Sequence, residues 1–144
     1  MGRTTPVANE LAPRRTHPME SEVMRSTNET FASLAREVGL ADRISYPLAE
    51  LNDLLTAASG VEVGSLPWPA IEEPYRLNYV TCMVEFAAHR TGVAPPFWTA
   101  SVSPQAEPRF IDSSPSLRAH LLTASPVPFR RRNIFMGTSL GGGV

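Results

Sequence analysis

Apolar positions recur at helical spacing in several stretches of the chain. Phe31, Leu34 and Val38 share one face and predict a first helix from about Glu20 or Thr27 to Val38, with Ser26 and Glu29 at capping-box spacing and Gly39 as its stop. Leu48, Leu51, Leu54 and Leu55 predict a second from Tyr46 or Pro47 to Ala58, capped by Ser45 and stopped by Gly60. Val61 to Ala70, with Gly64, Pro67 and Pro69, reads as a loop anchored by Trp68.

The clearest helix follows. Glu72 and Glu73 precede Pro74, an acidic start with proline where its missing N–H costs nothing. Leu77, Val80, Val84, Ala87 and Ala88 form a stripe that Tyr79, Met83 and Phe86 widen, and Gly92 ends it. A helix apolar over so much of its circumference belongs at the centre of a domain. After Pro95–Pro96 the chain reads as irregular until a short helix that starts at Ser114–Pro115, uses Leu117, Leu121 and Leu122, and is broken by Pro126 and Pro128. The expected fold is mainly α: a small single-domain helical bundle over residues 21–136, with a disordered N-terminal arm over 1–20, an irregular C-terminal segment, and a flexible tail over 137–144.

Composition narrows the chemistry. The 144 residues are 42% hydrophobic, enough for one small core. A single cysteine, Cys82, is read as excluding an internal disulfide framework and any thiolate zinc site. No stretch approaches the roughly 20 apolar residues that span a bilayer. The first 20 residues hold Glu10 and Glu20 and no apolar run, so no secretory signal is read there and a cytoplasmic location is expected. All 13 basic residues are arginine, which fits coding in a GC-rich genome and excludes a lysine nucleophile or phosphate-loop lysine. The net charge is -1, but residues 1–73 carry -5 and residues 74–144 carry +4. Such asymmetry marks either a partner-binding face or two halves that attract each other.

Catalytic patterns are missing. His17, His89 and His120 lie far apart with no H-x-x-x-H spacing, so no metal is expected, and His89 suits a helix C-terminus. Cys82 lies among Met83 and Val84, where it behaves as a small hydrophobe. No G-x-S-x-G elbow occurs, and the glycines at 141–143 precede no helix. The sequence therefore points to no enzyme and no cofactor.

The distinctive element is Pro128-Phe129-Arg130-Arg131-Arg132-Asn133-Ile134-Phe135. Arg130, Arg131 and Arg132 between aromatics suit an acidic protein surface or phosphates. Alternatively, one arginine pairs with an internal acid such as Glu85 or Asp112 and the others are solvated. Phe97 and Trp98 are expected to plug the end of the central helix with Phe110 closing over them, while Phe129, Ile134 and Phe135 fold back onto that cluster.

The run "MVEFAAHRTGVAPPFWT", then "RFID", then "LRAHLLTASPVPFRRRNIFM" resembles small actinobacterial proteins of unassigned biochemistry. The shared pattern is Gly92, Pro96, Trp98 and Thr99, then Leu117 and Arg118, then Ser125, Pro126, Phe129, Arg131, Arg132, Ile134 and Phe135, under half of the chain. Such proteins occur alone or behind a helix-turn-helix domain, some encoded beside nucleotidyltransferase-like toxins. The resemblance implies an antitoxin-like or accessory protein whose partner is a toxin-type protein. The acidic first half would mask a basic, nucleic-acid-facing active site of that partner. The rival expectation is a DNA-associated regulator that sets Arg130–Arg132 on phosphates. No membrane partner is expected.

Overall fold

The computed structural model describes residues 18–111 and 118–136. These residues form a mainly helical domain: α1 (Pro18–Leu40), α2 (Ser45–Ala57), α3 (Gly60–Gly64), α4 (Pro74–Thr91), a 3-10 turn (Phe97–Ser101), β1 (Arg109–Phe110), α5 (Arg118–Ala124), α6 (Val127–Arg130) and β2 (Ile134–Phe135). Most of the expected arm, the whole expected tail, and the expected helix start at Ser114–Leu117 lie outside the described residues.

Helix α4 is the axis of the domain and touches α1, α2, α3 and α6. It is buried almost all round from Asn78 to Ala88. Its start and stop are local chemistry. The Glu73 carboxylate accepts from the Tyr75 and Arg76 amides at 3.2 and 2.9 Å, Pro74 takes the first turn, and Gly92 adopts a left-handed φ of 74°. Cys82 lies in the core with no exposure, and its thiol donates to the Pro128 carbonyl at 3.4 Å.

Several local expectations give way to tertiary contacts. Helix α1 begins at Pro18, earlier than either expected start, so Ser26 and Glu29 lie within the helix and the capping box does not form. Gly39 is helical and does not end α1. Arg76 of α4 takes that role: its Nη1 donates to the Val38 and Ala41 carbonyls at 3.0 and 2.7 Å. Arg90, at the far end of α4, donates to the Leu55 carbonyl of α2 at 3.2 Å. Two arginines of the positive half thus hold the negative helix ends of the acidic half, through carbonyls.

Ile44, without a side-chain bond, stands at the N-cap of α2, and Ser45 is already helical. The expected loop after α2 opens instead with α3. Ser59 and Glu62 form a reciprocal capping box, with Ser59 N–H donating to Glu62 Oε1 at 2.7 Å and Glu62 N–H to Ser59 Oγ at 3.2 Å. Thr27 of α1 donates to the other Glu62 oxygen at 2.9 Å and ties α1 to α3. Trp68 is half-exposed and meets Trp98 edge-on, with ring centroids 5.7 Å apart.

The segment after α5 is more ordered than the irregular reading implied. Pro126 ends α5 and caps α6, and Pro128 sits in the first turn of α6, where proline is tolerated. Asn133 then turns the chain at a left-handed φ of 64° and donates its side-chain amide to the Gln105 carbonyl at 2.9 Å. Strand β2 runs parallel to β1, pairing Arg109 with Ile134 and Phe110 with Phe135.

Candidate functional site

The α6–β2 segment, which carries the three arginines, is bolted to α4 from inside. Phe129 is fully buried against Tyr79, their rings edge-to-face at 5.6 Å, and Ile134 is fully buried beside them in the core. Phe135 stacks on Phe110 at 5.0 Å. Ser125 Oγ accepts from the Met136 amide at 2.7 Å and donates to the Leu121 carbonyl at 2.6 Å, which closes the loop between α5 and β2.

Arg132 points inward. Its Nε and Nη2 grip both Glu85 oxygens, at 3.0 and 3.1 Å, and Nη1 donates to Asn78 Oδ1 at 3.0 Å. The remaining two donors go to the carbonyls of Val102, at 2.7 Å, and Thr99, at 2.9 Å. All five guanidinium donors are used, and both charged side chains are under a tenth exposed. Asn78 completes the network by donating to the Pro74 and Ser103 carbonyls at 3.0 and 3.1 Å. A buried ion pair is tolerated only when desolvation is met by such full pairing.

The expected outward patch of three arginines is therefore corrected. Arg132 is an internal tie and is closed to any partner, Arg130 is partly buried, and Arg131 is exposed. The order follows from backbone geometry: a helical turn ending in a left-handed residue sends neighbouring side chains in different directions. The alternative in which one arginine meets Glu85 is the arrangement observed. Asn78 and the Thr99 and Val102 carbonyls were not foreseen. Asn78 does leave a sequence signal, a polar residue inside the most apolar helix, which demands a partner.

The aromatic plug is also rearranged. Phe97 is 92% exposed, Trp98 donates its indole N–H to the Leu66 carbonyl at 2.8 Å, and Phe110 lies on Phe135 instead. Trp98, Phe129 and Phe135 are nonetheless all structural anchors.

Arg131 borders an open groove of about 530 Å³ between the C-terminal half of α4 and the α5–α6 turn. Its apolar walls are Phe86, Val93 and Pro95 on one side and Pro126, Val127 and Pro128 on the other, with Glu85 and His89 along α4. Burial pushes the Cys82 thiol far above its ordinary value, with the Arg132 charge opposing, so a thiolate is not available here. Among the described residues, no group of His, Cys, Asp and Glu gathers to hold a metal ion, and no helix is long and apolar enough to cross a membrane. Among the described positions of the C-terminal pattern, Thr99, Ser125, Phe129, Arg132, Ile134 and Phe135 are buried, whereas Arg131 is exposed. No protein-family model matches the chain, and no curated protein or solved structure matches it.

Proposed function

We propose that this chain is a non-enzymatic macromolecular binding protein, an antitoxin-like or accessory partner of a toxin-type protein, whose acidic helices cover a basic surface of that partner. The supporting observation is the disposition of carboxylates in the first half. From Glu22 to Glu73, every described Asp and Glu except the capping Glu62 is exposed. The described residues hold one ion pair, Arg132–Glu85, and it uses none of them. Apart from Glu73, which caps α4, these carboxylates have no cationic partner among the described residues and give a negative potential that steers and selects a positively charged partner. The same surface repels phosphates, and with Arg132 turned inward the three-arginine patch is not continuous, so a nucleic-acid-binding reading has less support.

The test is capture from the native host with an affinity-tagged chain, identifying both protein and nucleic acid in the bound fraction. The expected result is one stoichiometric basic protein, released by salt and lost on the double substitution Glu50→Arg/Asp53→Arg on α2. Co-expression should suppress the partner's toxicity. Nuclease-sensitive material as the sole bound species, or capture indifferent to the charge reversal, would overturn the reading.

A further inference from the structure

We propose that the groove between α4 and α6 is a second docking surface, built to take an extended apolar segment of a partner protein that carries a carboxylate opposite Arg131. It lies apart from the acidic face and does not depend on the identity of the partner bound there.

The first argument is charge. Glu85 reaches the groove, but both its oxygens are held by Arg132, so its charge is answered from inside. His89 stands in the last turn of α4. Arg131 is exposed, and among the described residues no carboxylate pairs with it. Arg131 is thus the one permanent charge left unanswered in a groove whose other lining, apart from Glu85 and His89, is apolar, which calls for one anionic group with apolar neighbours.

The second argument is shape. A volume of about 530 Å³ lies within the roughly 300–1,000 Å³ of sites that bury a drug-sized ligand, a size comparable to a few side chains. Pro95, Pro126 and Pro128 stiffen the walls, and Val127 is half-exposed and open to an occupant. The floor is fixed, because α6 is anchored by Phe129 and Arg132. A preformed apolar groove avoids the ordering cost that weakens flexible sites. Nucleic acid fits less well, since a single strand needs a track of cations and stacking faces, and this groove offers one cation.

The probe is a displayed library of random heptapeptides selected on the full chain, followed by fluorescence anisotropy with the best synthetic peptide. Selected sequences should share Asp or Glu beside apolar residues. Arg131→Glu and Val127→Asp, both at exposed positions, should each weaken binding about tenfold or more, as should replacing the peptide's acid by its amide. Arg131→Lys should restore part of the affinity. Unchanged unfolding midpoints would show that the variants fold. The inference is overturned if no sequence is enriched, if binding ignores both variants, if a short oligonucleotide binds with the same Arg131 dependence, or if Val127→Asp merely converts a self-associated form to monomer. Glu50→Arg/Asp53→Arg should leave peptide binding unchanged, so this surface and the acidic face can fail separately.

Discussion

Replacing Arg132 by methionine keeps the apolar stem and removes the guanidinium. Five acceptor contacts then disappear together: two on Glu85, one on Asn78, and the carbonyls of Thr99 and Val102. The Glu85 carboxylate, buried with 9% of its side chain exposed, is left without its counter-ion. Breaking a buried pair from one side costs about 3–5 kcal/mol, most of it the penalty of the stranded charge. A small domain has only about 5–15 kcal/mol in total, so the variant should be marginal but measurable at low temperature. Urea unfolding followed by tryptophan fluorescence suits the question, because Trp98 adjoins Thr99, whose carbonyl accepts from Arg132. The midpoint should fall strongly at constant slope. Glu85→Gln and the double variant complete a cycle, in which the two changes should couple by more than about 1 kcal/mol. A loss below about 1 kcal/mol, the range of exposed pairs, or simple additivity would refute the internal-tie reasoning.

Other perturbations test separate links. Arg76→Met should cost about 2 kcal/mol in urea unfolding, since two part-buried carbonyls at the end of α1 lose a charged donor. Gly92→Ala should cost about 1–2 kcal/mol, because an added Cβ meets nothing within 4 Å and only the left-handed φ is strained. The Ser59 amide, with further help from the Thr27 and Ser59 hydroxyls, holds the Glu62 carboxyl below its ordinary value of 4.5 against the opposing effect of burial. A depressed carboxyl stabilises the fold above its unfolded pKa and loses that contribution as pH falls through the folded one. The advantage of wild type over Glu62→Gln should therefore be full at pH 7 and vanish in acid unfolding curves. Cys82 should react with a thiol-specific disulfide reagent only at the rate of global opening, since burial pushes its thiol up and leaves no thiolate; fast modification of the native protein would contradict this.

The candidate site was partly legible. Glu85 stands among Val84 and Phe86 as a charge in an apolar stripe, which by itself calls for an opposite charge nearby. The run of arginines supplied the candidates but not the choice among them. The groove was illegible, because its walls come from two proline-bearing segments about 30 residues apart, Pro95 and Pro126–Pro128, brought together only by packing on α4.

Helix α4 was determined locally: its acidic N-cap, Pro74, wide apolar stripe and Gly92 act within one or two turns and need no other part of the chain. The helical class of the domain and the apolar setting of Cys82 within α4 were likewise readable from the chain. The tertiary structure decided the rest. Gly39 did not stop α1, because Arg76, many residues away, satisfied the carbonyls that a glycine turn would have served. Ser45 did not cap α2, whereas Ser59 and Glu62 opened a helix in a stretch that composition marked as loop. Arg130, Arg131 and Arg132 are the same residue type in one unbroken run. Only the left-handed turn at Asn133 and acceptors up to 54 positions distant sent Arg132 inward and left Arg131 at the surface. Hydrogen bonds within a turn are written into neighbouring residues, but the cost of burying a charge depends on which distant groups fold around it.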